Sequence, residues 1–350
     1  MQPRRHERTK KKWSSYFQVI VAATVIAPSL SALSASVLRS VDAIPAHIAG
    51  RFRDPAGFHR SASGQYFVFD RRSQIVYGID ESHSSAWEIV HIGHEAGRII
   101  NPVAFAVEPA GTFVVADTPD NRERIQVFSP AGFRIGGFML PGRMRARVVL
   151  DGLALNGIGS LQYSGTSILL SQPDTGALIT EYSLAGQAIR SFGALRRTGH
   201  EDDPPLHIAL NGGLPIVDPR GGFFFVFQTG EPVIRKYDAG GRLVFERRIQ
   251  GREIDEFIAH LPTAWPRRRT EDGELPLVGP TIRTAAADAS GHLWVSFVEP
   301  FTYEFDEDGD KIRTVQFRAA GTIAPNSMFF DPGGRLLVTP GLYIFDVRSK

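Results

Sequence analysis

Asn101-Pro102-Val103-Ala104-Phe105-Ala106-Val107-Glu108-Pro109-Ala110-Gly111-Thr112-Phe113-Val114-Val115-Ala116-Asp117, followed by Arg124-Ile125-Gln126-Val127-Phe128 and Ala131-Gly132, decides the reading of this chain. The stretch spells an apolar strand, a turn carrying Gly111 and a second apolar strand ending on Asp117. A short loop, a third alternating strand and another glycine turn complete the unit. Several strands per unit, with the unit recurring every ~40–50 residues, is the sequence signature of a β-propeller.

Five further stretches lie on the same template. Asp54-Pro55 runs through Ser63-Gly64 to Tyr66-Phe67-Val68-Phe69-Asp70 without a gap. Asn211 leads through Gly222 to Phe223-Phe224-Phe225-Val226-Phe227 and then to Val233–Tyr237. Ile282, Gly291, Leu293–Phe297 and Thr302–Phe305 repeat the order, as do Pro325, Gly334, Arg335–Val338 and Tyr343–Asp346. A degenerate copy spans Leu153 to Ser183 around Gly165. The turn glycines at 64, 111, 165, 222, 291 and 334 predict an all-β, six-bladed β-propeller. A two-sheet sandwich has similarly regular strand spacing but does not account for glycines and acids recurring at fixed places. Second strands that are apolar without alternation fit sheets buried on both faces.

The run from Gly111 to Asp117, with Asn121, Arg124-Ile125 and Ala131-Gly132 behind it, resembles the repeat of NHL-type six-bladed propellers, an NHL/TolB-like architecture. Asp70 with Gln74-Ile75 keeps part of that pattern, whereas Ser171, Gln228 and Phe297 stand where the Asp would be. The resemblance covers about 50–347. It implies the fold and little about activity.

The last unit offers three strands before the chain ends, so a ring needs a fourth from elsewhere or leaves an edge unpaired. Residues 46–52 are the expected donor. The predicted organisation is a signal peptide or uncleaved anchor over 1–34, a linker over 35–45 and the propeller over 46–347, with a loop insertion at 251–280.

That N-terminal reading rests on a basic start (Arg4, Arg5, Arg8, Lys10–Lys12), the apolar run Tyr16–Ala27 and a small-x-small site at Ala32-Leu33-Ser34. It predicts a secreted or periplasmic protein, or one held at the membrane if the segment is retained. The 350 residues contain 39 Lys+Arg and 37 Asp+Glu, and six of the basic residues with one acid lie in 1–34. The remainder is therefore slightly acidic, which gives nucleic acid no global attraction. No membrane contact is expected once the segment is removed. With no cysteine, disulfides and thiol catalysis are excluded; 35 Gly and 23 Pro suit many short strands and turns.

Three insertions interrupt the units, each between an outer strand and the next inner strand, which places them on one face. The first, 141–147, carries Arg143, Arg145 and Arg147. The second, 195–205, is highly charged. The third, 251–280, holds a helical turn near 253–261, then Trp265 and Arg267, Arg268 and Arg269. Trp265, Arg143, Arg145 and Arg267–Arg269 are the candidate ligand-binding residues, because arginine beside tryptophan suits an anionic or planar group. The same residues also serve ordinary packing.

Asp54, Asn101 and Asn211 share the column that starts the inner strand, with Asn156 and Asn326 one or two positions along and Asp151 just before. Oxygen-bearing side chains converging on an axis suit Ca²⁺ or another divalent cation. Propellers of the gluconolactonase and regucalcin type hold a catalytic metal in that manner, and this chain is similar to them in architecture alone. Asn and Asp before Pro or Gly equally initiate turns. His83, His91 and His94 with Glu95 follow no established ligand spacing, and no G-x-S-x-G, H-E-x-x-H or P-loop occurs.

Two function classes result. The first is a non-enzymatic exported module that binds a protein, peptide or glycan on the loop face, with no cofactor expected. The second is an extracytoplasmic lactonase-like hydrolase or lyase using Asp54, Asn101, Asn156 and Asn211 as metal ligands.

Overall fold

Glycine at the fourth position of the first turn in the second, fifth and sixth units has a physical cause in the backbone. Glu108 N–H donates to the Thr112 carbonyl at 3.0 Å and Gly111 N–H to the Glu108 carbonyl at 2.8 Å, with Gly111 at φ +94°. Asp288–His292 and Asp331–Arg335 repeat the same pair of bonds, with Gly291 and Gly334 at positive φ. A turn of this shape ends on a left-handed residue, the conformation that glycine adopts without steric cost. In a computed structural model the described residues are 35–141, 146–150, 153–156, 160–270 and 273–348.

In chain order, β1 (Ser36–Ala43) and the helical turn α1 (Ala46–Ala49) precede the first sheet. That sheet contains β2 (Pro55–Arg60), β3 (Tyr66–Asp70), β4 (Ile75–Ile79) and β5 (Ala86–Val90). The second contains β6 (Ala104–Val107), β7 (Phe113–Asp117), β8 (Arg124–Phe128) and β9 (Arg134–Met139). A hairpin of β10 (Ala146–Leu150) and β11 (Leu153–Asn156) leads to the third, β12 (Leu161–Tyr163), β13 (Ser167–Ser171), β14 (Ala177–Ser183) and β15 (Ala188–Ala194). Helix α2 (Pro204–Leu210) leads to the fourth, β16 (Gly213–Val217), β17 (Phe223–Phe227), β18 (Val233–Tyr237) and β19 (Leu243–Arg248). Helix α3 (Arg252–Ala259) and a hairpin of β20 (Arg267–Thr270) and β21 (Gly273–Pro276) follow.

The remaining strands are β22 (Ile282–Ala287), β23 (Leu293–Phe297), β24 (Thr302–Phe305), β25 (Lys311–Arg318), β26 (Thr322–Ile323), β27 (Ser327–Phe330), β28 (Arg335–Thr339) and β29 (Tyr343–Asp346). They share one nine-stranded sheet of order β22-β23-β24-β25-β1-β29-β28-β27, with β26 on β25. First strands β2, β6, β12, β16, β22 and β27 lie side by side in that order, and β27 meets β2. The fold is an all-β propeller.

Two expectations are corrected here. Six separate blades were expected, but the discrete four-stranded blades number four, and the last two units are parts of one continuous sheet. The cause is β1, which pairs parallel with β25 from Ser36↔Val315 to Arg39↔Arg318. From Ser40↔Phe345 to Ala43↔Tyr343 it pairs antiparallel with β29, with a register shift between Ser40 and Asp42. The closing strand is therefore 36–43, a segment expected to be linker, and not 46–52. Pro45 precedes a helical turn at 46–49, and Ile44, Ile48 and Phe52 are buried against Phe58, Tyr66 and Leu337. Those apolar side chains pack between the last and first units, so 46–52 contributes core instead of a ladder. The signal-peptide expectation falls on 1–34, outside the described residues. Among the described residues no helix is long and apolar enough to cross a membrane.

Between neighbouring sheets the second strands form the core. All five residues of β3, β7, β13, β17 and β23 are buried, as strands covered on both faces must be. Phe67, Phe69, Phe113 and Phe128 join the first two blades, and Phe223, Phe225, Phe227 and Tyr237 the third and fourth.

Candidate functional site

The three insertions come together. Helix α2 touches both β10 and β21, and β10 touches β21, so the material after β9, β15 and β19 meets on one side of the disc. Asp203 caps α2 by accepting from Leu206 N–H and also holds the Arg267 guanidinium. Leu206, Ala209, Leu210 and Val278 make a small core against which Trp265 packs, with the Trp265 ring edge-on to His200 at 5.0 Å.

Beneath this assembly lies a cavity of about 450 Å³ between the third and fourth blades. Its charged wall consists of Arg196, Arg197, Arg235 and Arg248 with Glu231 and Glu246, and Leu210, Leu261 and Trp265 supply apolar surface. Arg196 is fixed from several sides. Its guanidinium donates to the carbonyls of Leu210 (2.8 Å), Thr229 (2.6 Å) and Glu231 (2.8 Å) and lies 4.2 Å from the Phe227 ring centroid. Burial lowers its pKa to about 10, against the raising influence of Glu231 and Glu246. Arg235 bonds Glu246 at 2.6 Å and the Ala194 carbonyl, and Arg248 meets Glu231 at 3.1 Å. Arg197 and Arg248 are exposed at the rim. Four guanidinia face two carboxylates, an excess of positive charge beside an indole.

The second blade shows what the fourth has given up. Asp117 and Arg124 form a buried bidentate pair, Nε–Oδ1 2.9 Å and Nη2–Oδ2 2.5 Å. Arg124 also donates to the carbonyls of His94 and Arg98, while Asp117 accepts from Ile100 N–H. The most NHL-like residues are thus a latch tying the second blade to the chain leaving the first. In the fourth unit Gln228 stands in place of the acid, and the two arginines there turn to carbonyls and to Glu246.

Of the residues expected to bind, Trp265 lines the cavity, while Arg267 is paired with Asp203 and Arg268 and Arg269 lie exposed on β20 outside the lining. Arg143 and Arg145 lie outside the described residues. Arg196, Arg235 and Arg248 were missed. Their signal was the Arg196-Arg197 doublet ending the third blade together with the missing acid of the fourth unit.

The oxygen column is engaged locally. Asp54 pairs with Arg71 at 2.9 Å. Asn101 sits exposed at φ +46°, its N–H bonded to Gln74 Oε1. Asn211 is fully buried, its side chain accepting from Arg196 N–H and donating to the Arg196 and His207 carbonyls. Asn326 accepts from Arg283 at 3.1 Å. Asn156 lies on β11, and Asp151 is outside the described residues. His91 and His94 pair separately with Glu88 and Asp120, Glu95 with Arg98, and His83 stacks edge-on to Tyr66.

No protein-family model matches the chain, and no curated protein matches its sequence. Solved structures with a similar chain path include β-propeller domains. A streptogramin B lyase is 13% identical with a TM-score of 0.48, covering 83% of this chain and 92% of that one. The WD40 β-propeller domain of Doa1 is 11% identical, TM-score 0.45, with 83% and 77% covered. The hydrazine synthase of Kuenenia stuttgartiensis is 13% identical, TM-score 0.49, with 85% and 97% covered. At these identities no activity transfers to this chain.

Proposed function

We propose that this chain is a binding propeller, acting outside the cytoplasm, whose loop-face cavity receives a carboxylate-bearing segment of a protein, peptide or glycan. The observation that carries the reading is the cavity of about 450 Å³ walled by four arginines and Trp265. Guanidinium groups give paired, charge-assisted hydrogen bonds to a carboxylate. The indole supplies apolar area next to them, the combination that dominates binding energy at small interfaces. Arg196 and Arg235 are committed to the protein and set the field, while at the exposed rim Arg197, and Arg248 beside its partner Glu231, are placed to meet a ligand. Extracytoplasmic placement rests on the basic and then apolar segment at 1–34.

Titration of the purified protein with fluorescent oligoglutamate peptides and uronate oligosaccharides, against oligolysine, tests the reading. Saturable binding of one acidic probe is expected. Arg197→Ala with Arg248→Ala should weaken it by about tenfold or more, as the loss of ~1.5–3 kcal/mol per charged hydrogen bond implies. Equal binding of the lysine probe, or no effect of the double substitution, would overturn it.

A further inference from the structure

Asp288, His292 and Glu304 bring three ligand atoms within 4.8 Å of one another, the one group of three His or acidic side chains so gathered among the described residues. His292 Nδ1 lies 3.0 Å from Glu304 Oε1 and 3.7 Å from Asp288 Oδ2. We propose that these residues bind a first-row divalent ion of the zinc type, with an open fourth position for water.

The distances suit the ion. Donors at ~2.0–2.2 Å around a tetrahedral centre stand roughly 3.3–3.5 Å apart; the two separations from His292, 3.0 and 3.7 Å, lie within a few tenths of an ångström of that, and all three ligand atoms lie within 4.8 Å. One imidazole and two carboxylates are a borderline donor set that selects zinc-like ions over Ca²⁺, which takes oxygen alone.

The two carboxylates are also aimed by partners outside the cluster, as second-sphere groups aim the ligands of metal sites. Asp288 Oδ1 accepts from Ser290 N–H (2.8 Å) and His292 N–H (3.0 Å), and its Oδ2 accepts from Trp294 Nε1 (3.3 Å). Glu304 Oε2 is held by Arg313 Nε at 2.5 Å, leaving Oε1 toward the imidazole. The turn position itself is informative. In Asp238–Arg242 and Asp331–Arg335 the residue four beyond the acid is an arginine paired with that acid at 2.8 and 3.0 Å. In Asp288–His292 that cation is replaced by an imidazole, a side chain with a lone pair to donate. Glu304 is buried and His292 about one-third exposed, so the cluster is reachable from solvent on the histidine side.

The experiment is calorimetric titration of the full chain with Zn²⁺ after chelator treatment, with Ca²⁺ in parallel, and visible absorption of the Co²⁺ form. One equivalent of Zn²⁺ should bind, Ca²⁺ at least tenfold more weakly, and Co²⁺ should give the intense bands of a low-coordinate site. His292→Ala and the milder Glu304→Gln should each weaken Zn²⁺ by tenfold or more while keeping the native circular dichroism. Absent binding, or Zn²⁺ binding unchanged in both variants, would overturn the proposal. So would Ca²⁺ binding as tightly as Zn²⁺.

Discussion

Asp117 and Arg124 show how one pair of residues can be legible as a motif and still say nothing about ligands. Both are buried, their charges meet at 2.5 Å, and the carbonyls of His94 and Arg98 each accept a further guanidinium hydrogen bond. Removing one partner strands the other charge in a dry place. Asp117→Ala should destabilise the fold by about 3–5 kcal/mol, read as a lowered midpoint in urea unfolding. The double variant Asp117→Ala with Arg124→Met should recover part of that loss. A double variant destabilised by the sum of the losses of Asp117→Ala and Arg124→Met measured singly would show that the pair is not coupled. At this scale the sequence was informative wherever chemistry and local geometry coincide, as at Gly111, Gly291 and Gly334. The Arg196-Arg197 doublet hinted at the cavity without placing it, because Arg196 ends one blade and Arg235 lies within the next, and no spacing along the chain brings them together.

Among the elements, α3 depends on one ionised side chain. Glu253 accepts from Thr314 Oγ1 and Tyr303 Oη, each at 2.7 Å, with Lys311 Nζ at 3.4 Å. Burial pushes its carboxyl upward, but these hydrogen bonds and the ammonium outweigh burial and hold the pKa at about 2. The folded value is below the ordinary 4.5. The stabilisation is therefore complete above about pH 4.5 and is lost as pH falls toward 2. Glu253→Gln should lower stability at pH 7 by about 1–3 kcal/mol and flatten the dependence between pH 4.5 and 2, measured by urea midpoints across that range. An unchanged acid limb would refute the assignment. Ile254, fully buried among Ile249, Tyr303 and Phe297, explains why a helix sits in what reads as a loop insertion. The pattern at 253–261 gave the helical turn but could not show which blade it would grip.

For the whole molecule, β1 is where sequence reasoning missed most. Ser36–Ala43 follows directly on the apolar N-terminal stretch and carries only Val37, Leu38 and Val41 as strand formers, so its partners could not be read locally. In the fold Leu38 is buried and the strand joins the last two units into one sheet. Deleting 36–43 should expose the edges of β25 and β29, lower the thermal midpoint and promote association through them. A synthetic 36–43 peptide added in trans should reverse both effects, measured by melting and light scattering. A deletion variant that melts as the full chain does and stays monomeric would remove β1 from the role of closing strand.

That same pairing sets an order in time. β1 leaves the ribosome long before Val315 and Phe345, its partners in the sheet. At ~5–20 residues per second the wait is on the order of 15–60 s. Throughout it the strand has no ladder to join, and the earlier blades can form without it. The last two units are therefore joined by β1 only after β25 and β29 have both been made, and until then β1 waits without its partners.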